Sequence, residues 1–198
     1  IHVNMFNVRT LQDFLIKFGS AVIRPVFSTA DEYMDVVSKY LSDTHFVFNQ
    51  ERFSAFDEVV SIDCVPDAND IEAMVRLPFR LAAEKGCPYY MIMEEFQNIM
   101  NDKEGETVLK VMEKVLADKD RNAAFIFTGS RVNAMKYIFA EKKFFYRQVE
   151  YLPLQKVDDA EIAEHIMRGF MIGGKVVERE LIQGACELFR GQMWYLNH

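Results

Sequence analysis

Two adjacent carboxylates, Glu94 and Glu95, follow directly on a short apolar segment that begins at Tyr89. Gly86 and Pro88 bound this segment on its other side. An uninterrupted apolar run of this length is typical of a strand buried on both faces of a parallel sheet. Open α/β sheets bind their ligands at the carboxyl ends of such strands, so the two acids are candidates for a functional site.

A second apolar run, Ala123–Thr128, also ends on small polar residues, Gly129 and Ser130. Two strands that carry polar groups at the same end indicate a site at one edge of the predicted sheet. The alternative for residues 128–130 is a plain turn or a helix cap, since these residue types are common in both.

The order of the two acids limits the chemistry they can perform. Consecutive strand residues point to opposite faces, so Glu94 and Glu95 cannot form the facing carboxylate pair of a glycosidase. At the end of a strand, however, one acid can bind the water shell of a metal ion while the other faces a nucleophilic water. Phosphoryl transfer needs both an acid that holds a metal ion and a group that orients the attacking water. The alternative is that the two acids simply follow the strand into solvent and have no function.

The segments that would position these residues alternate between strand and helix. This alternation predicts a three-layer α/β core with a mostly parallel sheet over residues 1–156, and a helical extension over 157–198. Residues 43–56 are aromatic-rich without a period and are expected to be irregular. We predict strands at 1–6, 58–63, 89–94, 123–128 and 148–152, and helices at 11–24, 31–41, 69–85 (kinked or split by Pro78), 108–115 and 132–139.

The bulk properties are those of a soluble globular protein. Half of the 198 residues are hydrophobic and 27% are charged, and no apolar run is long enough to span a membrane. The three cysteines are widely spaced, which favours a reducing, cytoplasmic setting over a disulfide framework or a zinc site. The net charge of −7 argues against broad nucleic-acid binding.

Several of these motifs together resemble a known family. Glu94-Glu95-Phe96-Gln97, after its apolar run, resembles the Walker B motif of P-loop ATPases, in the form found in the archaeal-type ATPase family related to AAA and STAND NTPases. Residues 125–130 resemble the next strand of that family, which ends at the sensor-1 position. Residues 144–154 resemble its arginine and "PL" segment, and residues 190–196 resemble part of its helical lid.

The resemblance implies roles for individual residues and a Mg²⁺-dependent ATPase activity. Glu95 would position or activate the attacking water, and Glu94 would stand where the family has an Asp that holds Mg²⁺ through water. Thr128 and Ser130 would sense the γ-phosphate of ATP, and Arg147 would stabilise charge at a subunit or domain edge.

The phosphate-binding loop of this family has no counterpart in the sequence. The one GxxxxGK match, residues 169–175, is followed by Val176 and comes after a predicted helix, so we expect Gly173-Gly174 to be a helix stop. In the family the loop lies just upstream of the strand that residues 1–6 resemble. We therefore expect a fragment that lacks the first strand and the loop, stops inside the lid, and by itself binds ATP poorly.

Two other functions stay open. A non-catalytic member of the family would use the same fold as an interaction module, with a protein partner or a second copy of the chain. A loader-type ATPase would bind nucleic acid through a cluster of basic residues, although most such clusters are solvated helix faces. The cluster comprises Arg131, Lys136, Lys142, Lys143 and Arg147.

Overall fold

The structure is a computed structural model that describes residues 1–118, 122–155 and 157–196. The chain divides into two compact units, Ile1–Val149 and the residues that follow Val149. The predicted start of the helical extension is residue 157, and the first helix of the second unit begins at Asp159.

Strands and helices alternate through the first unit, and the second unit is helical. Between β2 and α5 the chain forms a 3₁₀ segment, Phe96–Asn101, and after α6 it forms a π-helical turn, Tyr137–Glu141. The elements are β1 His2–Asn4, α1 Leu11–Ile23, α2 Ala30–Tyr40, α3 Gln50–Phe56, α4 Ala68–Lys85, β2 Tyr89–Glu94, α5 Gly105–Leu116, β3 Ala123–Phe127, α6 Val132–Lys136, α7 Asp159–Ile172, α8 Arg179–Phe189 and α9 Met193–Leu196.

The sheet has the order β1-β2-β3, and both pairs of strands are parallel. Val3 lies opposite Met93, and Met93 lies opposite Phe127. This confirms the α/β class with a parallel sheet. Helix α4 packs against β2, β3 and the neighbouring helices α1, α2 and α5, so the helices form a layer over one face of the sheet.

The other face of the sheet is uncovered in the described residues, which differs from the predicted three layers. Tyr90, Ile92 and Ile126 are 60%, 36% and 49% exposed. Residues of β2 alternate between buried and exposed, so the prediction that this strand is buried on both faces was wrong. The apolar run misled because an uncovered apolar face and a covered one have the same sequence pattern.

Residues 43–63 differ most from the sequence prediction. Helix α3 forms where irregular structure was expected, because the side chain of Asn49 caps it by accepting from the amides of Glu51 and Arg52. The predicted strand at 58–63 was wrong. Among the described residues, its only ladder contact is an isolated bridge between Ser61 and Val47, because the hydroxyl of Ser20 accepts from the amides of Val59 and Val60 instead.

Two further segments also depart from prediction. Helix α4 continues through Pro78 without being split. The predicted strand at 148–152 was wrong, because these residues pair with no strand in the described part of the chain. A strand is stable only when a neighbour satisfies its backbone groups.

The second unit buries its own small core, which is formed by Ile162, Ala163, Ile182 and Cys186. The all-helical pattern was predicted, and Gly173-Gly174 ends α7 as expected, with Gly174 at a φ of 69°. None of the helices in the described residues is both long and apolar enough to cross a lipid bilayer.

The carboxylate of Asp70 ties the loop at residue 45 to the start of α4. It is fully buried and accepts from the backbone amides of Asp67 and His45 and from Nδ1 of the His45 ring, at 2.8, 2.9 and 3.0 Å. Burial raises the pKa of Asp70, but these hydrogen bonds outweigh it and hold the pKa below its usual value. The hydrogen bond to Asp70, and then its charge, raise the pKa of His45.

We predict that the His45–Asp70 contact stabilises the fold more at low pH than at high pH. Because the pKa of His45 is raised on folding, its contribution is complete below about 6.5, the usual histidine value, and is lost as the pH rises through the folded pKa. Urea unfolding of the wild type and His45→Gln should differ more at about pH 5.5 than at about pH 8.5. His165→Gln, at an exposed position of α7, should show no such pH dependence; an equal difference at both pH values for His45→Gln would contradict the prediction.

A cluster of phenylalanine rings joins the ends of β2 and β3. Phe96 is fully buried, and its ring centroid lies 4.3 Å from that of Phe127, with Phe139 and Phe145 at 6.0 and 6.4 Å. These rings hold the first residues after β2 against β3.

We predict that Phe96→Ala lowers the free energy of unfolding by about 3–5 kcal/mol, because it removes a buried ring and leaves a cavity. Phe56→Ala is the matched control, since Phe56 is 72% exposed, and it should change stability by about 0.5 kcal/mol or less. Chemical denaturation measures both. Equal losses in the two variants would show that the ring cluster does not anchor this end of the sheet.

Candidate functional site

Glu95 leaves the end of β2 in a left-handed backbone conformation, with φ 53° and ψ 40°. This conformation costs a non-glycine residue roughly 1–2 kcal/mol, and such strain is concentrated at functional sites. Two backbone hydrogen bonds hold the turn: Phe96 N donates to Thr128 O at 2.9 Å, and Asn98 N donates to Glu95 O at 2.9 Å. Glu95 is therefore outside the strand, and this turn sets the direction in which its side chain leaves the backbone.

Side chains from two elements hold the carboxylate of Glu95. Its Oε2 accepts from Nε2 of Gln97 at 2.6 Å and from Oγ of Ser130 at 2.8 Å. Gln97 belongs to the 3₁₀ segment, and Ser130 follows β3. The structure thus brings together two of the predicted site residues, Glu95 and Ser130, at the carboxyl edge of the sheet.

Gln97 lies beneath this contact and is only 3% exposed. While its Nε2 donates to Glu95, its Oε1 is buried without a hydrogen-bond partner among the described residues. Gly129 makes room for that oxygen, because a Cβ atom at position 129 would lie 2.2 Å from it. An unpaired buried carbonyl costs about 1–3 kcal/mol. The Gln97 amide therefore keeps its hydrogen bond to Glu95 at a cost in folding free energy.

Glu95 and Ser130 open onto a cleft of about 430 Å³. The cleft contains one carboxylate, two guanidinium groups and two side-chain amides, so it suits a ligand that carries both anionic and polar groups. Its lining residues are Phe6, Arg9, Glu95, Asn98, Asn101, Ser130 and Arg131.

The loop after β1 forms the opposite wall of the cleft and is tied to the 3₁₀ segment. Asn98 Nδ2 donates to the carbonyls of Met5 and Phe6 at 3.1 and 3.3 Å. Asn101 Nδ2 donates to Val8 O at 3.1 Å. The guanidinium of Arg9 donates to the carbonyls of Phe6 and Val8 at 3.1 and 3.2 Å, so its position in the cleft is fixed by backbone atoms.

The structure places Glu94 away from the cleft lining. Its Oε2 lies 3.0 Å from Nε2 of His2 and accepts from Nδ2 of Asn4 at 3.4 Å. Both partners belong to β1, and the Glu94 side chain is 43% exposed. The two adjacent acids therefore have different surroundings, with Glu95 facing the cleft and Glu94 paired with the neighbouring strand.

Thr128 and Arg147 are not among the residues that line the cleft. Thr128 connects the two strand ends through its backbone, and its side chain is exposed. Arg147 is exposed, has a φ of 62°, and its guanidinium lies 5.2 Å from the ring centroid of Tyr146.

Sequence analysis missed Arg9 and Gln97, and it assigned Arg131 only to a basic cluster. Arg9 lies in the loop after β1, so the rule that ligands bind beyond parallel strand ends points to that loop but not to Arg9 itself. Gln97 had been noted only as part of a motif. No sequence signal reports that its amide turns back toward Glu95.

Comparisons with known proteins support the fold. No protein-family model matches the sequence, and no curated protein sequence matches it significantly. Among solved structures, the fold is similar to that of a Walker-type ATPase of Pyrococcus abyssi, with a TM-score of 0.58 over 95% of this chain and 18% identity. The chain spans 51% of the length of that protein. The likeness supports a P-loop NTPase-like α/β fold.

We predict that the left-handed turn reverses the usual order of glycine and alanine at position 95. Glu95→Ala and Glu95→Gly both remove the carboxylate and differ only in Cβ, so the glycine variant should be more stable by about 1 kcal/mol. At Asp35, exposed on helix α2, the alanine variant should be more stable by about 1 kcal/mol. Urea unfolding measures the stability of all four variants. If alanine is more stable than glycine at both positions, the left-handed conformation of residue 95 is contradicted.

Proposed function

We propose that this chain forms part of the nucleotide-binding core of an AAA/STAND-like ATPase that hydrolyses ATP and couples the reaction to a change of domain arrangement. The observation that carries the proposal is the strained Glu95 at the carboxyl end of the central strand, with its carboxylate held at a polar cleft. The likeness to a Walker-type ATPase supports the same class of fold.

The chemistry of the cleft fits a polyphosphate. Arg9 and Arg131 both line it, and guanidinium groups bind phosphate oxygens through paired hydrogen bonds. No ion pair to Arg131 is found in the described part of the chain, which leaves its charge available to a ligand. Glu95 then lies beside the phosphates, where a carboxylate can orient or deprotonate an attacking water.

Mg²⁺ would be held mainly through water and phosphate, with few contacts to this chain. This ion commonly takes only one or two protein carboxylates and keeps several waters. Oε2 of Glu95 is occupied by its two donors, and Glu94 is exposed enough to accept from a metal-bound water if it leaves His2 and Asn4. When bound, Mg²⁺ would neutralise part of the phosphate charge.

We propose that a further strand, with a glycine-rich phosphate-binding loop, pairs with β3 in the active protein. Two observations support this: β3 has no partner on its outer edge in the described residues, and no loop of this kind follows β1, β2 or β3.

The proposed roles of Thr128 and Arg147 need changes that the proposed role of Ser130 does not need. Ser130 already contacts Glu95 and fits a γ-phosphate sensor, whereas Thr128 would need its exposed hydroxyl to turn toward the ligand. Arg147 lies outside the cleft lining, so a charge-stabilising role for it would require a neighbouring subunit or domain, as in a homo-oligomer.

The uncovered sheet face favours one alternative, a non-catalytic interaction module that binds a protein partner there. A nucleic-acid-binding role has less support. Lys142, part of the basic cluster, pairs with Glu106 at 2.8 Å. The hydrogen bond to Glu106 and the charge of Glu106 raise the pKa of Lys142. The negative charge of Glu106 also offsets the positive charge that Lys142 would offer to a nucleic acid.

The test is calorimetric binding of Mg²⁺-ATP to this chain and to a form that also carries the proposed strand and loop. The second form should bind at least about tenfold more tightly, because the loop supplies backbone amides and a lysine to the phosphates. In that form, Glu95→Gln should keep binding within about twofold and reduce hydrolysis by about 100-fold or more, since it removes the base and preserves the shape of the side chain.

Lys103→Gln is the matched control, because Lys103 is absent from the cleft lining and its replacement should leave both binding and turnover unchanged. Unchanged turnover in Glu95→Gln would contradict the role of Glu95. Failure of both forms to bind nucleotide would contradict the ATPase proposal and favour the interaction module.

A further inference from the structure

We propose that Gln97 is a positioning residue that fixes the direction of the Glu95 carboxylate. This positioning role is inferred from the geometry of the described residues alone. Only the expected effect on turnover rests on the proposed ATPase function.

The two carboxylate oxygens of Glu95 have different surroundings. Both donors, Gln97 and Ser130, bind Oε2, at 2.6 and 2.8 Å. Oε1 accepts no hydrogen bond from the described residues. Two donors on one oxygen restrict rotation of the carboxylate, and they leave the other oxygen available to a water or ligand in the cleft.

The Gln97 amide is oriented with its donor end toward Glu95. A flipped amide would place Oε1 of Gln97 against Oε2 of Glu95, and two acceptors at such a short distance repel each other. The observed orientation avoids this repulsion, but it leaves Oε1 buried without a partner among the described residues. A glutamine that only filled space would be expected to satisfy both ends of its amide, since buried polar groups are normally paired.

Gly129 gives the Gln97 amide the room it needs. A Cβ atom at this position would lie 2.2 Å from Oε1 of Gln97 and 2.6 Å from Sδ of Met135. The absence of a side chain at 129 therefore lets the amide reach Glu95 from below. Ser130, the next residue, donates the second hydrogen bond to Glu95. The residue types at 97, 129 and 130 therefore all favour the same orientation of the Glu95 carboxylate.

The direct test is a set of crystal structures of this chain as wild type, Gln97→Met and Gly129→Ala. Methionine keeps the length of glutamine and removes the donor, while alanine at 129 displaces the amide and leaves its chemistry intact. We expect the Glu95 carboxylate to move away from Ser130 in both variants, which breaks the 2.8 Å hydrogen bond between these two side chains. A Glu95 side chain unchanged in both variants would overturn the proposal.

The kinetic test uses the form of the protein that hydrolyses ATP. Gln97→Met should lower kcat by about 100-fold, as expected for a misplaced catalytic group, and change KM by less than about twofold. Gln12→Met is the matched control, because the Gln12 amide also donates a hydrogen bond, to Ile62 O, away from the cleft. It should leave kcat unchanged; equal decreases in both variants would indicate a general structural effect and overturn the proposal.

Gln97→Glu adds a readout that a structural role would not change. The introduced carboxyl can donate to Glu95 only when it is protonated, so kcat relative to wild type should rise as the pH falls. A pH-independent ratio would overturn the positioning role. If the crystal structures show Glu95 displaced while no form of the protein hydrolyses ATP, the ATPase proposal fails and the positioning of Glu95 stands.

Discussion

The backbone leaves the central strand through a left-handed residue, Glu95, and this turn has to be supported from both sides. The buried ring of Phe96 packs against Phe127, and the amide of Phe96 binds the carbonyl of Thr128, so the turn is tied to β3. On the other side, Asn98 binds the carbonyls after β1. The cleft exists because all three strand ends are joined at this one turn.

The same turn separates the two adjacent acids. If Glu95 continued the strand, its side chain would point to the face opposite that of Glu94. Instead it reaches Ser130 and Gln97, while Glu94 pairs with His2 on β1. Neighbouring carboxylates repel each other, and the divergence lets both stay at the edge of one sheet. Each acid thereby acquires its own set of donors.

The sequence predicted the parts of this arrangement that depend on strand ends. The apolar runs before Glu95 and Ser130 located both residues at one edge of a parallel sheet, and the structure places them in contact. It did not predict the uncovered face around Ile92, because burial of a strand depends on which elements are present to pack on it. Nor did it predict Arg9 in the cleft, since backbone carbonyls of a loop fix its position.

The proposed binding of nucleotide phosphates in the cleft at Glu95 can be located residue by residue. Amide NMR spectra of the chain, titrated with Mg²⁺ and inorganic triphosphate at millimolar concentration, test it most directly because they locate even weak binding. Binding in the cleft should shift the amide signals of Arg9, Glu95, Ser130 and Arg131, and none in helix α8. Shifts confined to other residues, or no shifts at all, would contradict it.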